Sequence, residues 1–269
     1  MDKHFNFSLK ARSSMLVSGP TMAGKSTFVH NLLKDKTIFE KPPDAIYWYY
    51  GGESSAGLEG RDYILRNGLP ENFNDIPPNS VVVLDDLMHE AKDHAGVTAL
   101  FTKLVHHRNL FVINITQNFF MKSNDTRTRR LNTQYVVMFK NPSDVTQIDI
   151  IGRQMYPESR KFLSIVNKKA TKRPHSYLFL DLRQETPDQY RIRSNLLQHE
   201  FPMKIFKQSN TEESRKFLSS VNKKATKRPH RNRSNLLNKK ATKRPHGNPS
   251  NLLQHEFPIK IYKQSNTER

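Results

Sequence analysis

Short apolar runs recur along the first 192 residues, and segments with helical spacing of apolar positions separate them. Continuous apolar runs are typical of strands that are covered on both faces of a sheet. The predicted strands are 14–18, 45–50, 81–85, 111–116, 135–139 and 177–181, and the predicted helices are 26–34, 96–108 and 144–155. This alternation predicts an α/β fold with a doubly wound, mostly parallel sheet.

The remainder of the chain is built from copies of earlier sequence. The copies follow one another at unequal distances, which does not fit a solenoid with one repeat length. The apolar run 177–181 is missing from the copy, so the repeated basic segment has lost the partner that would bury it. We therefore predict a domain over residues 1–192 and a basic, partially duplicated, poorly ordered tail over 193–269. The copied segments are Ser159–His175, which recurs as Ser214–His230, and Ser194–Thr211, which recurs as Ser250–Thr267.

Composition narrows the class of protein. The chain has no cysteine, which excludes disulfides and thiolate metal sites. Neither a membrane-spanning apolar run nor the apolar core of a signal peptide is visible, so we expect an intracellular protein without membrane contact. The net charge of +19 is concentrated in the tail. A basic tail attracts polyanions such as nucleic acid, or is simply solvated without a specific partner.

A glycine-rich motif follows the first predicted strand. Residues Gly19–Ser26 (GPTMAGKS) fit G-x-x-x-x-G-K-[ST], the phosphate-binding loop of nucleoside triphosphatases, and a helix is predicted directly after it. In such loops the backbone N–H groups and the helix N-terminus face the phosphates. Lys25 would reach the β- and γ-phosphates, and the Ser26 hydroxyl would hold Mg²⁺. The predicted nucleotide-binding residues are Gly19, Pro20, Thr21, Met22, Ala23, Gly24, Lys25, Ser26 and Thr27.

Two carboxylates end the third predicted strand. The run Val81–Asp86 (VVVLDD) fits a Walker B element. Asp85 would bind the metal opposite Ser26, and Asp86 would orient or deprotonate the attacking water. Many ATPases of the additional-strand class have Glu at the second position, which leaves Glu90 as another candidate base.

Polar and basic residues follow the next two strands. Gln117, with Asn118 as the alternative, stands where an amide can contact both the γ-phosphate and water. Arg129, Arg130 and Arg153 are candidates for an arginine finger that acts on a neighbouring subunit. For any single arginine, contact with a phosphate backbone or with solvent remains the alternative.

Together these motifs resemble the FtsK/HerA-type genome-packaging ATPases, in particular those of poxviruses and of polinton-like and adintovirus-like elements. The resemblance covers roughly residues 10–192. It rests on the phosphate loop, Leu84–Met88, Thr116–Asn118, the segment Arg129–Pro142 (RRLNTQYVVMFKNP) and Ile151–Gln154.

The resemblance implies an ATP-driven motor, usually a homo-oligomeric ring, that moves double-stranded DNA into a capsid. It also implies a P-loop NTPase fold of the additional-strand type, with the sensor strand between the strands of the two Walker motifs. A capsid or portal protein would be a further partner, and the nucleus or a viral factory the place of action.

The sequence therefore predicts Mg²⁺-dependent ATP hydrolysis, with ATP and Mg²⁺ as ligands, coupled to movement of double-stranded DNA. Two alternatives stay open. One is a P-loop nucleoside or small-molecule kinase, although no arginine-rich lid is visible. The other is an inactive, basic DNA-binding remnant of an integrated viral element.

Overall fold

The computed structural model describes residues 7–52, 61–87, 90–91, 94–120, 124–200, 202–208 and 259–263. The chain divides into two units, Met1–Lys207 together with Ile261–Arg269, and Gln208–Lys260. Almost all of the second unit, and with it most of the predicted tail, lies outside the described residues. The α/β fold belongs to the first unit.

Within the described residues, the strands match the apolar runs of the sequence, with four additions. Each of the predicted strands is present within one residue of its predicted limits. The strands are β1 (Ser13–Ser18), β2 (Ala45–Tyr50), β3 (Ile64–Asn67), β4 (Ser80–Asp85), β5 (Phe111–Thr116), β6 (Tyr135–Phe139), β7 (Tyr177–Asp181), β8 (Ile192–Ser194), β9 (Lys204–Gln208) and β10 (Ile259–Lys263). The four additions are β3, β8, β9 and β10.

The helices lie between these strands. The predicted helix 96–108 is a continuous helical segment in which a π-helical stretch, Leu100–Leu104, separates two α-helical pieces. Within the described residues, none of the helices has the length and apolar character that a membrane span requires. The α-helices are α1 (Lys25–Lys34), α2 (Ala95–Ala99), α3 (Val105–His107), α4 (Asn124–Leu131), α5 (Thr146–Met155) and α6 (Phe162–Ala170).

Strands β1 to β9 lie in the order β9-β8-β7-β6-β1-β5-β4-β2-β3. The strands from β6 to β3 are parallel, whereas β7, β8 and β9 pair antiparallel. The order confirms the predicted α/β class of the additional-strand type, because β5 lies between β1, which precedes the phosphate loop, and β4, which ends in Asp85.

Helix α1 holds the phosphate loop against one face of the sheet. Its buried side chains are Phe28, Val29, Leu32 and Leu33, which belong to the same apolar core as Met15 and Val17 of β1 and Trp48 of β2. His30 of α1 stacks on the Trp48 ring at 4.5 Å between centroids. Burial, with a contribution from the charge of Arg61, lowers the pKa of His30 to about 4, so this ring is neutral at pH 7.

The sheet extends beyond Ile192, the last residue before the predicted tail. Strands β8 and β9 reach past this residue, and the first unit continues to Lys207. The apolar side chains of this segment are buried because they continue the core at the β7 edge of the sheet. They are Leu196, Leu197, Met203, Ile205 and Phe206.

A buried charge cluster joins β7 to β8. The Asp181 carboxylate accepts hydrogen bonds from Nε and Nη2 of Arg183 at 3.0 and 2.9 Å, and from Nη2 of Arg193 at 3.3 Å. Asp181 and Arg193 are fully buried, and the Arg193 guanidinium lies 4.4 Å from the centre of the Phe7 ring. Burial alone would raise the pKa of Asp181, but the two arginines outweigh it and the pKa is lowered.

We expect Asp181→Ala to lower the free energy of unfolding by about 3–5 kcal/mol, since it leaves buried guanidinium groups without their carboxylate. Denaturant unfolding at pH 7 measures this loss. Asp188→Ala is the matched control, because Asp188 is exposed and pairs with Arg191 on the surface; it should cost at most about 1 kcal/mol. Equal losses in the two variants would contradict a structural role for the cluster.

Candidate functional site

The phosphate loop connects β1 to α1 at the carboxyl edge of the parallel strands. Gly24 has a φ of 97°, a left-handed conformation that suits glycine. A Cβ on Gly19 would lie 2.7 Å from the Phe139 Cβ, so a side chain at Gly19 would clash with the end of β6. The two glycines of the motif are therefore required by backbone conformation in one case and by close packing in the other.

The structure brings the predicted phosphate and metal residues together. The Ser26 hydroxyl lies 3.1 Å from Oδ2 and 3.4 Å from Oδ1 of Asp85. The Lys25 ammonium donates hydrogen bonds to the carbonyl oxygens of Gly19 and Pro20, each at 2.9 Å. The lysine side chain is thus folded back over the loop.

Burial favours the neutral forms of Lys25 and Asp85. It lowers the pKa of the Lys25 ammonium, although the charges of Asp85 and Asp86 oppose this shift. It also raises the pKa of the Asp85 carboxyl, with a further contribution from Asp86, while Ser26, Lys25 and Trp48 act in the opposite direction. A cation bound beside Asp85 would relieve this penalty.

Asp86 and Gln117 meet at the adjacent strand ends. The Gln117 side-chain amide donates a hydrogen bond to Oδ1 of Asp86 at 3.3 Å. Asp86 has a φ of 54°, an uncommon backbone conformation for a residue other than glycine. Asn118, the alternative sensor residue, forms a local turn in which its backbone N–H and carbonyl both contact the Thr116 hydroxyl. The geometry favours Gln117 over Asn118 as the partner of Asp86.

The three candidate arginines lie in different environments. Arg129 is only 5% exposed, which argues against contact with a neighbouring subunit. Arg130 is partly buried, with its guanidinium 4.5 Å from the centre of the Phe120 ring. Burial lowers the pKa of Arg130, with a further contribution from the charge of Arg127. Arg153, on α5, is exposed.

Sequence reasoning missed two residues that shape the site. Gly51 follows β2, and a Cβ there would lie 2.8 Å from the carbonyl oxygen of Asp86. His175, just before β7, contacts the phosphate loop through the Ala23 carbonyl. In the sequence, only the Gly-Gly pair after the second apolar run points to Gly51. No sequence pattern points to His175, because its position depends on the antiparallel pairing of β7 with β6.

The donor set fits magnesium. Mg²⁺ in nucleotide sites is usually bound by one or two protein oxygens together with phosphates and water, not by a cage of protein ligands. Ser26 and Asp85 supply such oxygens. The described part of the chain has no cluster of three or more His, Cys, Asp or Glu side chains that could hold a metal by itself.

The chain resembles two solved structures of a viral protein at the level of the fold. Both are of the genome packaging NTPase B204 from Sulfolobus turreted icosahedral virus 2. The complex with ATP-gammaS is 14% identical, with a TM-score of 0.43, over 68% of this chain and 96% of that one. The complex with sulfate is 13% identical, with a TM-score of 0.44, over 68% and 94%. No protein-family model matches the sequence, and no curated protein matches it significantly.

We expect Asp85→Asn to raise the unfolding temperature of the ligand-free protein at pH 7. Because burial raises the pKa of Asp85, ionisation is harder in the folded than in the unfolded state. The wild type therefore loses stability as the pH rises from the ordinary value, 3.8, through the raised one. Thermal unfolding between pH 3.5 and 8 measures this difference.

Asp75→Asn, which removes an exposed carboxylate, is the control and should change the unfolding temperature little at any pH. An Asp85→Asn variant that is less stable than the wild type at pH 7, but not at pH 3.5, would contradict the sign of the shift.

Proposed function

We propose that this chain is a Mg²⁺-dependent P-loop ATPase, in which water attacks the γ-phosphorus of ATP and ADP and inorganic phosphate leave. The observation that carries the proposal is the approach of the Ser26 hydroxyl to the Asp85 carboxylate, 3.1 Å, beside Lys25 at the carboxyl edge of parallel strands. An oxygen pair and a lysine at the start of a helix suit a triphosphate and its metal.

Each residue of the cluster has a role that its position supports. Gly19–Thr27 would hold the phosphates, with Lys25 on the β- and γ-phosphates. Ser26 and Asp85 would hold Mg²⁺, which in such sites neutralises charge on the phosphate oxygens. Asp86 would accept the proton of the attacking water, and Gln117 would orient this carboxylate through the 3.3 Å hydrogen bond.

The proposed DNA motor rests on charge and on exposed basic groups. A net charge of +19 favours binding to a polyanion such as double-stranded DNA. Of the three candidate arginines, the exposed Arg153 fits best as the residue that acts on a neighbour in a homo-oligomeric ring. A capsid or portal protein would receive the DNA, in the nucleus or in a viral factory.

We expect Lys25→Ala to reduce the rate of ATP hydrolysis by at least about 100-fold, the usual loss when one donor to the transition state is removed. Release of phosphate with and without EDTA measures both this loss and the dependence on Mg²⁺. Lys34→Ala removes an exposed lysine from the other end of the same helix and should leave the rate unchanged. A Lys25→Ala variant as active as the wild type would refute the proposed site.

We also expect double-stranded DNA to stimulate hydrolysis, and the stimulation to fall steeply with salt because it depends on phosphate contacts. Arg153→Ala should abolish the stimulation at unchanged ATP affinity if Arg153 acts across a ring interface, with Arg160→Ala on the following turn as the control. Transfer of phosphate to a small acceptor would instead support a kinase. DNA binding without any hydrolysis would support an inactive remnant.

A further inference from the structure

A cleft lies beside the phosphate loop, on the side away from Asp85. It has a volume of about 330 Å³ and separates Pro20–Ala23 from Thr171–Ser176, the segment that precedes β7. This volume is in the range of small-molecule sites. We call it the side cleft.

The side cleft is basic. Lys140, Lys172 and Arg173 line it, and none of its lining residues in the described part of the chain is acidic. Lys172 and Arg173 are exposed. The cleft therefore presents cationic and hydrogen-bond donating groups next to a loop whose motif binds phosphate.

His175 fixes the segment 171–176 to the phosphate loop. Its Nδ1 donates a hydrogen bond to the Ala23 carbonyl at 3.2 Å. A Cβ on Gly24 would lie 3.2 Å from the same nitrogen, so the glycine makes room for the ring. His175 has a φ of 59°, a left-handed backbone conformation that is uncommon for a residue other than glycine.

The strand order sets the direction in which a bound nucleotide must run. The phosphate loop follows β1, which lies between β5 and β6. Asp85, Asp86 and Gln117 end β4 and β5 on one side of the loop, so the metal and the terminal phosphate belong there. The other end of the nucleotide then points toward β6 and β7, where the side cleft lies.

We propose that the side cleft binds the ribose and base of the nucleotide, with Arg173 stacking on the base and Lys140 and Lys172 donating hydrogen bonds to ring nitrogens or ribose hydroxyls. The planar guanidinium of arginine stacks well on flat π-systems. The inference rests on the proposed function, because it assigns the nucleoside of the same ATP whose phosphates occupy the loop.

Binding of two probes, ATP and inorganic tripolyphosphate, tests this assignment in the full-length chain with Mg²⁺. Tripolyphosphate has the phosphates of ATP without the nucleoside. Arg173→Ala should weaken ATP binding about tenfold or more, as expected for loss of a charged contact, while tripolyphosphate affinity stays within about twofold. Lys169→Ala, which removes an exposed charge from the nearby end of α6 outside the cleft, should change neither affinity.

The outcomes distinguish a wrong phosphate site from a wrong position of the nucleoside. If the wild type binds neither ATP nor tripolyphosphate, the proposed phosphate site itself is wrong. If it binds both equally, or if Arg173→Ala and Arg173→Glu weaken both by the same factor, the phosphate site stands and the nucleoside lies elsewhere. Thermal unfolding of the same samples shows whether either Arg173 variant is destabilised. If one is, Lys172→Ala repeats the binding test at a second residue that lines the side cleft.

Discussion

The candidate site depends on one constraint, which is that three parallel strands end at the same level and in one particular order. Ser18 of β1 lies opposite Thr116 of β5, and Ile115 of β5 lies opposite Asp85 of β4. Parallel strands present their carboxyl ends on one edge, so the phosphate loop and the two aspartates must face each other there. β5 separates β1 from β4 by the width of one strand. The side chains of Ser26, after the phosphate loop, and Asp85, at the end of β4, reach across the end of β5 and contact each other.

Much of this arrangement could be predicted from sequence because its parts are local and strongly patterned. β1, β4 and β5 are uninterrupted apolar runs, which is the pattern of strands buried on both faces. The phosphate loop has a fixed spacing of glycines, lysine and serine, and the paired aspartates come directly after β4. The strand order, in contrast, followed only from the resemblance to packaging ATPases, since apolar periodicity carries no information about which strands are neighbours.

The parts that could not be predicted depend on contacts between distant segments. α4 is rich in arginine and has no long apolar stripe, so it is missing from the helices predicted from sequence. β8 is only three residues long, and its Arg193 pairs with Asp181 of β7, a charge pair that is costly to bury without both partners and that the apolar pattern does not reveal. Likewise, no sequence pattern indicates that the ring of His175, in the basic segment before β7, contacts the phosphate loop.

A double-mutant cycle of Ser26→Ala and Asp85→Ala, measured as ATP affinity with Mg²⁺ and again with EDTA, tests whether the two side chains hold one magnesium ion. If both side chains hold the same ion, the two losses are strongly non-additive with Mg²⁺, with a coupling of about 0.5–3 kcal/mol, and the coupling is much smaller in EDTA, where only the direct contact between Ser26 and Asp85 remains. Additive losses, or an ATP affinity that is the same with and without Mg²⁺, would contradict a shared metal between the phosphate loop and β4.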